Sequence, residues 1–206
     1  MMMAIHESDD RHLFDALPAI DFDVSKRLHF ELVHAARREG LLDVSYRTID
    51  TPVGELLLAA TELGLVRVAY TRQGHDRVLE SLAKLISPRI LRATDRLDEV
   101  ARQIEQYFTK RRRAFDLPLD WRLSRGFRLN VLSHLPDIAY GNTASYADVA
   151  AAAGSPRAVR AVGSACATNP LPVVVPCHRV VRSDGTAGGY VGGLEAKTTL
   201  LNLEAS

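Results

Sequence analysis

The sequence lacks the features that would place it in a specialised class of protein. Its 206 residues contain no apolar run near the ~20 residues that a membrane helix needs. Residues 1–11 carry acidic side chains where a secretory signal would carry a hydrophobic stretch. Its two cysteines are too few for a disulfide framework or a four-cysteine zinc site. We therefore expect a cytoplasmic protein with free thiols, no bound metal and no membrane contact.

Neither sign of charge dominates the chain as a whole, but its C-terminal part is basic. The composition, 47% hydrophobic and 25% charged, is that of an ordinary globular protein with a core, and the length predicts one domain or two small ones. The net charge is +1, yet residues 122–206 hold eight basic and five acidic residues, a net charge of +3. This asymmetry favours a polyanionic partner without proving one.

Hydrophobic periodicity divides the first part of the chain into an extension and an α+β domain. The predicted elements are a helix at 24–38, three short strands within 44–70, and helices at 75–86 and 95–109. Residues 1–22 show no periodicity, and we expect them to be poorly ordered. The domain boundaries that follow are 1–40 for the extension and 41–121 for the α+β domain.

Short helices dominate the second part. The predicted elements are helices at 128–135, 146–153 and 157–167, a buried strand at 171–175, and a helix at 194–204. The Gly-Ser-Pro turn at 154–156 joins two of these helices in a pattern typical of a helix-turn-helix. We therefore expect residues 122–206 to form a helix-turn-helix domain.

The helix predicted at 157–167 carries almost no large side chains. Its alanines and glycine would let its backbone approach a partner closely, and Arg157 and Arg160, three residues apart, would share one face. Two interpretations stay open. The helix either packs tightly into the core with its arginines in solvent, or it binds nucleic acid.

A candidate nucleophile follows the predicted strand. The thiol of Cys177 stands beside His178 and Arg179, and such neighbours lower the pKa of a thiol and make it reactive. Adjacent residues of an extended chain point apart, so His178 would reach the sulfur through a bend or a bridging water. Glu204 would set the imidazole tautomer if the fold placed it near His178. The alternative is an inert core cysteine.

These residues belong to a longer series of motifs. In chain order they are Ser145-Tyr146, Gly154 to Gly163, Asn169-Pro170, Pro176 to Val180, Gly188-Gly189-Tyr190, Gly192-Gly193, Lys197 and Leu200-Leu201. In this combination the sequence resembles the O6-alkylguanine-DNA alkyltransferases over about residues 127–204. Residues 44–120 are similar to that family's N-terminal domain. The resemblance implies an α+β fold, with a ribonuclease H-like α+β domain followed by a mostly helical winged-helix/helix-turn-helix domain.

The resemblance also implies a reaction and roles for the residues near the thiol. Cys177 would take the alkyl group from O6-alkylguanine in DNA by direct displacement, once per molecule, because a thioether has no easy hydrolytic exit. His178 would accept the thiol proton through a water, with Glu204 orienting the ring. Asn169 would brace the active-site turn. Tyr146 would donate a proton as the guanine leaves.

On the DNA side, the resemblance implies that the target base is flipped out of the duplex. The bare helix would enter the minor groove of double-stranded DNA, with Arg160 filling the vacated place in the stack and Arg157 as a further DNA contact. The carbonyl of Val180 and the backbone around Tyr190 and Val191 would hold the base. The expected protein is a monomer with no cofactor and no metal.

Three other functions remain as alternatives. An alkyltransferase-like protein that binds the lesion without repairing it would replace the acceptor cysteine, and Cys177 is present. A helix-turn-helix regulator would need a dimerisation or effector segment that the sequence does not show. A thiol hydrolase using Cys177 and His178 would leave the arginine-bearing helix unexplained.

Overall fold

The computed structural model describes residues 22–205, and the chain divides into two compact units with the boundary between Glu39 and Gly40. The first unit contains helix α1 (Phe22–Arg38), which begins slightly before the predicted helix. Apart from Phe22, which is helical, the segment that we expect to be poorly ordered lies outside the described residues. None of the helices within residues 22–205 is both long enough and apolar enough to cross a membrane.

A four-stranded sheet forms the first half of the second unit. Its strands are β1 (Val44–Ile49), β2 (Leu56–Thr61), β3 (Gly64–Tyr70) and β4 (Ile90–Arg92). The order across the sheet is β3-β2-β1-β4. The first three strands, which the sequence predicts, form an antiparallel meander, and β4 runs parallel to β1. Sequence analysis missed β4 because its three residues are too few to show a pattern.

Helices cover both faces of this sheet, which explains why every residue of β2 is buried. The helices are α2 (His75–Leu85) and α3 (Asp98–Phe108). Leu57 packs with Val78 of α2 in a small cluster on one face. Leu56 and Leu58 pack with Ile104 of α3 in the larger core that continues into the second half of the chain.

The second half is mostly helical, as predicted. Its elements are α4 (Gly126–His134), α5 (Tyr146–Ala152), α6 (Val159–Ala167) and α7 (Leu194–Ala205), with β5 (Ala144–Ser145) parallel to β6 (Val180–Val181). A capping box starts α5: the Asp148 N–H donates to Ser145 Oγ at 3.1 Å, and the Ser145 N–H donates to Asp148 Oδ2 at 2.9 Å. This cap fixes the position of Tyr146, the first residue of α5.

The start of α6 differs from the prediction. The helix begins at Val159, and the Ala158 N–H donates to the Ser155 carbonyl at 2.8 Å to close a turn before it. Serine is favoured at the first position of such a turn and proline at the second, and Ser155 and Pro156 occupy these positions. Arg157 therefore lies in the turn, and the prediction that it shares a helix face with Arg160 is wrong.

The prediction of a strand at 171–175 is also wrong. Its residues are buried, as the apolar run indicates, but they form a turn in which the Val175 N–H donates to the Leu171 carbonyl at 2.8 Å. Val173 has a φ of 73°, which is unfavourable for a β-branched residue. The side chain of Asn169 holds the turn, because its Oδ1 accepts from the Leu171 N–H and its Nδ2 donates to the Val175 carbonyl, both at 2.9 Å.

Candidate active site

The thiol of Cys177 lies at the end of the turn that Asn169 holds. Cys177 begins a single 3₁₀ turn, Cys177–Arg179, and is 2% exposed. Asn169 Nδ2 donates to Cys177 Sγ at 3.1 Å, in addition to its bond with the Val175 carbonyl. One amide group therefore fixes both the backbone that leads to the cysteine and the sulfur itself.

The pKa of the resting thiol is raised, contrary to the prediction from its neighbours. Burial raises the pKa of Cys177 to about 11, although the hydrogen bond from Asn169 and the charge of Lys197 act in the opposite direction. The prediction of a lowered pKa fails because the Arg179 guanidinium bonds to Glu204, and because burial lowers the pKa of His178 and keeps that ring neutral. The thiol therefore needs a base to react.

Glu204 is the centre of a buried cluster that we call the relay: Tyr107, His178, Arg179 and Glu204. Its Oε1 accepts from Tyr107 Oη at 2.6 Å, His178 Nε2 at 3.0 Å and Arg179 Nη2 at 2.9 Å. Its Oε2 accepts from Arg179 Nε at 2.9 Å and the Gly141 N–H at 3.2 Å. Burial alone would raise the pKa of Glu204, but the bonds from His178 and Arg179 outweigh it and lower that pKa to about 2. The carboxylate is therefore ionised.

His178 is arranged to act as a base. Its ring is fully buried, and Nε2 lies next to an ionised carboxylate, so the neutral ring carries its proton on Nε2 and donates it to Glu204. Nδ1 then holds a free lone pair. That atom is buried and has no hydrogen-bond partner among the described residues. The structure shows no direct hydrogen bond between the side chains of Cys177 and His178, both of which lie in the described part of the chain. This fits transfer of the thiol proton through a bridging water.

Sequence analysis did not find Tyr107, although it bonds directly to Glu204. In the pattern of α3, Tyr107 follows Ile104 at helical spacing and looks like another core residue. Both side chains are fully buried, so burial does not separate them either. No local signal in the sequence distinguishes the tyrosine that bonds to a carboxylate 97 residues away.

Lys197 belongs to the motif series, but sequence analysis gave it no role. Its ammonium group is fully buried and donates to the Val180 carbonyl at 2.5 Å. This is the carbonyl that we expect to contact the target base. A carbonyl oxygen has two lone pairs, so it can accept from both donors. The charge of Lys197 also favours the ionised form of Cys177.

The glycine-rich segment at 188–193 is packed closely between the two halves of the unit. A side chain at Gly188 would place its Cβ only 2.4 Å from the Tyr146 hydroxyl, and one at Gly192 would lie 2.5 Å from the ring of Tyr70. Tyr190 Oη bonds to Tyr70 Oη at 2.9 Å. Burial raises the pKa of Tyr146, with Cys166 and Cys177 adding to the effect. Tyr146 therefore keeps its proton at neutral pH.

The outer face of α6 exposes small side chains and one arginine. Arg160, Ala161 and Ser164 are exposed, whereas Val162 and Cys166 face the core. Of the residues singled out from the sequence, the structure forms two hydrogen-bonded pairs, Asn169 with Cys177 and His178 with Glu204, which meet where Cys177 and His178 adjoin in the chain. Tyr146 lies next to the glycine-rich segment. Arg160 and Arg157 lie on the surface.

In comparisons with known proteins, the two halves of the second unit match two domains of one family. Residues 44–121 match the family model described as 6-O-methylguanine DNA methyltransferase, ribonuclease-like domain, and residues 126–206 match the DNA binding domain of that name. The constitutive methylated-DNA–protein-cysteine methyltransferase of Bacillus subtilis is 39% identical over 160 residues, which cover 77% of this chain and 94% of that protein.

Solved structures with the same fold come from Mycobacterium tuberculosis. Its O6-methylguanine methyltransferase is 36% identical, with a TM-score of 0.67, over 79% of this chain and 93% of that one. The M. tuberculosis OGT in complex with DNA is 35% identical, with a TM-score of 0.65, over 78% and 92% of the two chains. The expected α+β fold is confirmed.

Proposed function

The chain belongs to the 6-O-methylguanine DNA methyltransferase family, and from that premise we propose that Cys177 is the residue that accepts the alkyl group. The protein is a methylated-DNA–protein-cysteine methyltransferase that repairs O6-alkylguanine in double-stranded DNA. The observation that carries the assignment of the acceptor is the buried sulfur of Cys177. Asn169 holds this sulfur in place, beside a histidine whose second nitrogen is free to accept a proton.

The proposed reaction begins with the thiol proton. It moves from Cys177 through a water to His178 Nδ1, and the ionised Glu204 stabilises the imidazolium that forms. The sulfur then forms a bond to the alkyl carbon as the bond from that carbon to guanine O6 breaks. The bonding electron pair leaves with the guanine, and Tyr146 supplies the proton that neutralises it. The proton held on His178 Nδ1 then replaces the one that Tyr146 gave up, through solvent, so both side chains return to their starting forms and the net proton transfer is from the thiol to the guanine.

The product is a thioether, which water does not readily cleave, so each molecule acts once. Both cysteines are buried and free of disulfides. The reaction needs Cys177 in its reduced form, and this need, together with a DNA substrate, supports a cytoplasmic location. One chain supplies all the groups of the site, which supports action as a monomer without a cofactor.

We assign the DNA contacts to the surface around α6. The small exposed side chains of this helix suit the narrow minor groove, where contacts carry little sequence information and any sequence can be searched. Arg160 would fill the place of the flipped base, and Arg157 would contact DNA from the turn before the helix. The Val180 carbonyl and the backbone around Tyr190 and Val191 would hold the base. We propose that residues 122–206 carry these roles, and that residues 41–121 support them.

Mass spectrometry of the protein after incubation with an O6-methylguanine duplex tests the acceptor. We expect the peptide containing Cys177 to gain the mass of one methylene group, and we expect Cys177→Ser to abolish the transfer. Cys166→Ser is the matched control, because this second buried cysteine lies on α6 and should leave the transfer intact. Repair by Cys177→Ser would overturn the assignment, and unmodified wild-type protein that binds the lesion tightly would indicate a lesion binder.

A further inference from the structure

A groove outside the thiol site is lined by arginines from three different elements. It has a volume of about 440 Å³ and receives Arg67 from β3, Arg77 from α2 and Arg128 from α4. Gln73 and Thr168 add neutral hydrogen-bonding groups. No acidic side chain lines this groove within the part of the chain that the structure describes. We call it the arginine groove.

The arginines of the groove differ from others in the same domain. Elsewhere Arg47 pairs with Asp98 at 2.6 Å, and Arg102 pairs with Glu99 at 2.5 Å. Arg67 and Arg77 have no such partner among residues 22–205, and the buried Nε of Arg67 makes no hydrogen bond there. Leaving a buried N–H of a charged group without an acceptor is unfavourable. An anion that entered the groove would remove this cost.

Arg128 is oriented by the protein. Its Nη2 donates to the Leu123 carbonyl, which ties one end of the guanidinium to the backbone and leaves its other N–H groups available. A fixed guanidinium can present two parallel N–H groups to two oxygens of one phosphate. Arg128 on one wall and Arg67 on another would then bind a phosphate from two sides.

The arginine groove adjoins the thiol site. Asn169, which holds the sulfur of Cys177, also lines the groove, and so does Val191 of the glycine-rich segment. Ala167 and Thr168 line it at the end of α6 and connect it to the helix face that we assign to DNA. A nucleotide that leaves the duplex to reach Cys177 brings its flanking phosphates with it, and these phosphates need a place close to the mouth of the site.

We propose that the arginine groove binds a backbone phosphate of the lesion-bearing strand, close to the flipped nucleotide. This inference rests on the proposed function, because it assumes that the target base reaches Cys177. It adds to the helix-turn-helix surface a DNA contact from the sheet domain, through Arg67 and Arg77. The groove acts on binding and on the position of the strand, and it does not touch the reacting atoms.

Salt-dependent binding of a lesion duplex tests the groove. We expect Arg67→Gln and Arg77→Gln each to weaken binding roughly threefold to tenfold near 0.1 M salt, and to lower the slope of log K against log salt by about 0.9 for a lost phosphate contact. Arg102→Gln is the matched control, because it removes the same charge from a pair on α3 outside the groove. It should change affinity less than twofold. Arg77 is exposed, so its variant tests the groove even if Arg67→Gln does not fold.

A second measurement locates the phosphate. Phosphates within three nucleotides of the lesion are replaced one at a time by uncharged methylphosphonates. We expect one position at which the replacement weakens binding by wild type but has no further effect on Arg67→Gln. Equal effects on wild type and variant at every position, or unchanged affinity and salt slope in both variants, would overturn the proposal.

Two further measurements separate the inference from the assumptions around it. A free phosphate ion could bind the same arginines as a DNA phosphate, so the binding of inorganic phosphate is measured at matched ionic strength. If it binds in the groove while the DNA measurements show no effect of either variant, the groove is a site for a small anion and the proposal fails. Reaction with a free alkylated guanine, which carries no phosphate, should have the same rate in both variants as in wild type. A wild-type protein that does not methylate Cys177 would contradict the proposed function instead.

Discussion

The relay takes three of its four residues from the half of the chain that contains α6, yet the side chains of the relay and of the exposed α6 face are held in opposite ways. In the relay, one carboxylate accepts hydrogen bonds from Tyr107, His178, Arg179 and the Gly141 backbone, and all four relay side chains are buried. On α6, the side chain of Arg160 makes no hydrogen bond or ion pair with the described residues. If the proposed roles hold, chemistry at the thiol is tied to the stability of the fold, whereas contact between α6 and DNA is independent of it.

The largest loss of stability should follow a change at the centre of the relay. Glu204→Gln keeps the shape of the side chain but leaves the buried guanidinium of Arg179 without its counter-charge. Removing one partner of a buried ion pair typically costs about 3–5 kcal/mol. Urea unfolding should show this loss in the free energy of unfolding. Glu195→Gln, at an exposed position on the same helix, should stay within about 0.5 kcal/mol of wild type.

An equal stability of Glu204→Gln and wild type would contradict the comparison. It would mean that the relay does not depend on the charge of its carboxylate. A loss of repair without a loss of stability would mean that Glu204, like the exposed side chains of α6, serves the function without stabilising the fold.

Acid should weaken the relay before it affects the exposed face of α6. The pKa of Glu204 falls from its ordinary value of 4.5 to about 2 on folding, so its contribution to stability is complete above about pH 4.5 and is lost as the pH falls toward 2. The size of the shift corresponds to about 3 kcal/mol. Burial lowers the pKa of His178 below 6.5, so protonation of the unfolded chain removes stability from about pH 6.5 downward.

The free energy of unfolding, measured between pH 7 and pH 3, checks that acid lowers stability. Stability should fall steadily with acid in wild type, and Glu204→Gln should lose the part of the decline below about pH 4.5. Arg160→Ala serves as the control, since its profile should follow that of wild type. A wild-type stability that rises with acid would show that the carboxylate of Glu204 and the imidazole of His178 are not in the protonation states that their bonds indicate.

The difference between the two regions also explains what the sequence could predict. The five apolar residues of β2 and the apolar spacing of α2 and α3 predict the sheet domain, because burial there follows directly from the local pattern. The motif series points to Cys177 and His178, which are neighbours in the chain. The role of Tyr107 could not be predicted, because its partner is 97 residues away and its own helix gives it the pattern of a core residue.

Local pattern failed where a side chain replaced the expected backbone partner. The run at 171–175 has the apolar character of a buried strand, but the amide of Asn169 bonds to its backbone at both ends and forms a turn. The raised pKa of Cys177 was missed for a related reason. The neighbour in sequence, Arg179, bonds to Glu204, so the sulfur lies in a buried site whose nearest fixed donor is Asn169.

The smallest change in stability should accompany a large change in function at Arg160. This side chain is exposed and has no partner in the described residues, so Arg160→Ala should alter the free energy of unfolding by less than about 0.5 kcal/mol. If Arg160 fills the stack after the base leaves, its loss makes flipping harder by part of the few kcal/mol that unstacking costs, and repair of a duplex should slow by roughly tenfold or more. Attack on a free alkylated guanine needs no flipping and should keep its wild-type rate, as should Arg102→Ala on both substrates. Equal slowing on duplex and free base would mean that Arg160 acts on the thiol site through the fold. The exposed face of α6 would then not be independent of the relay.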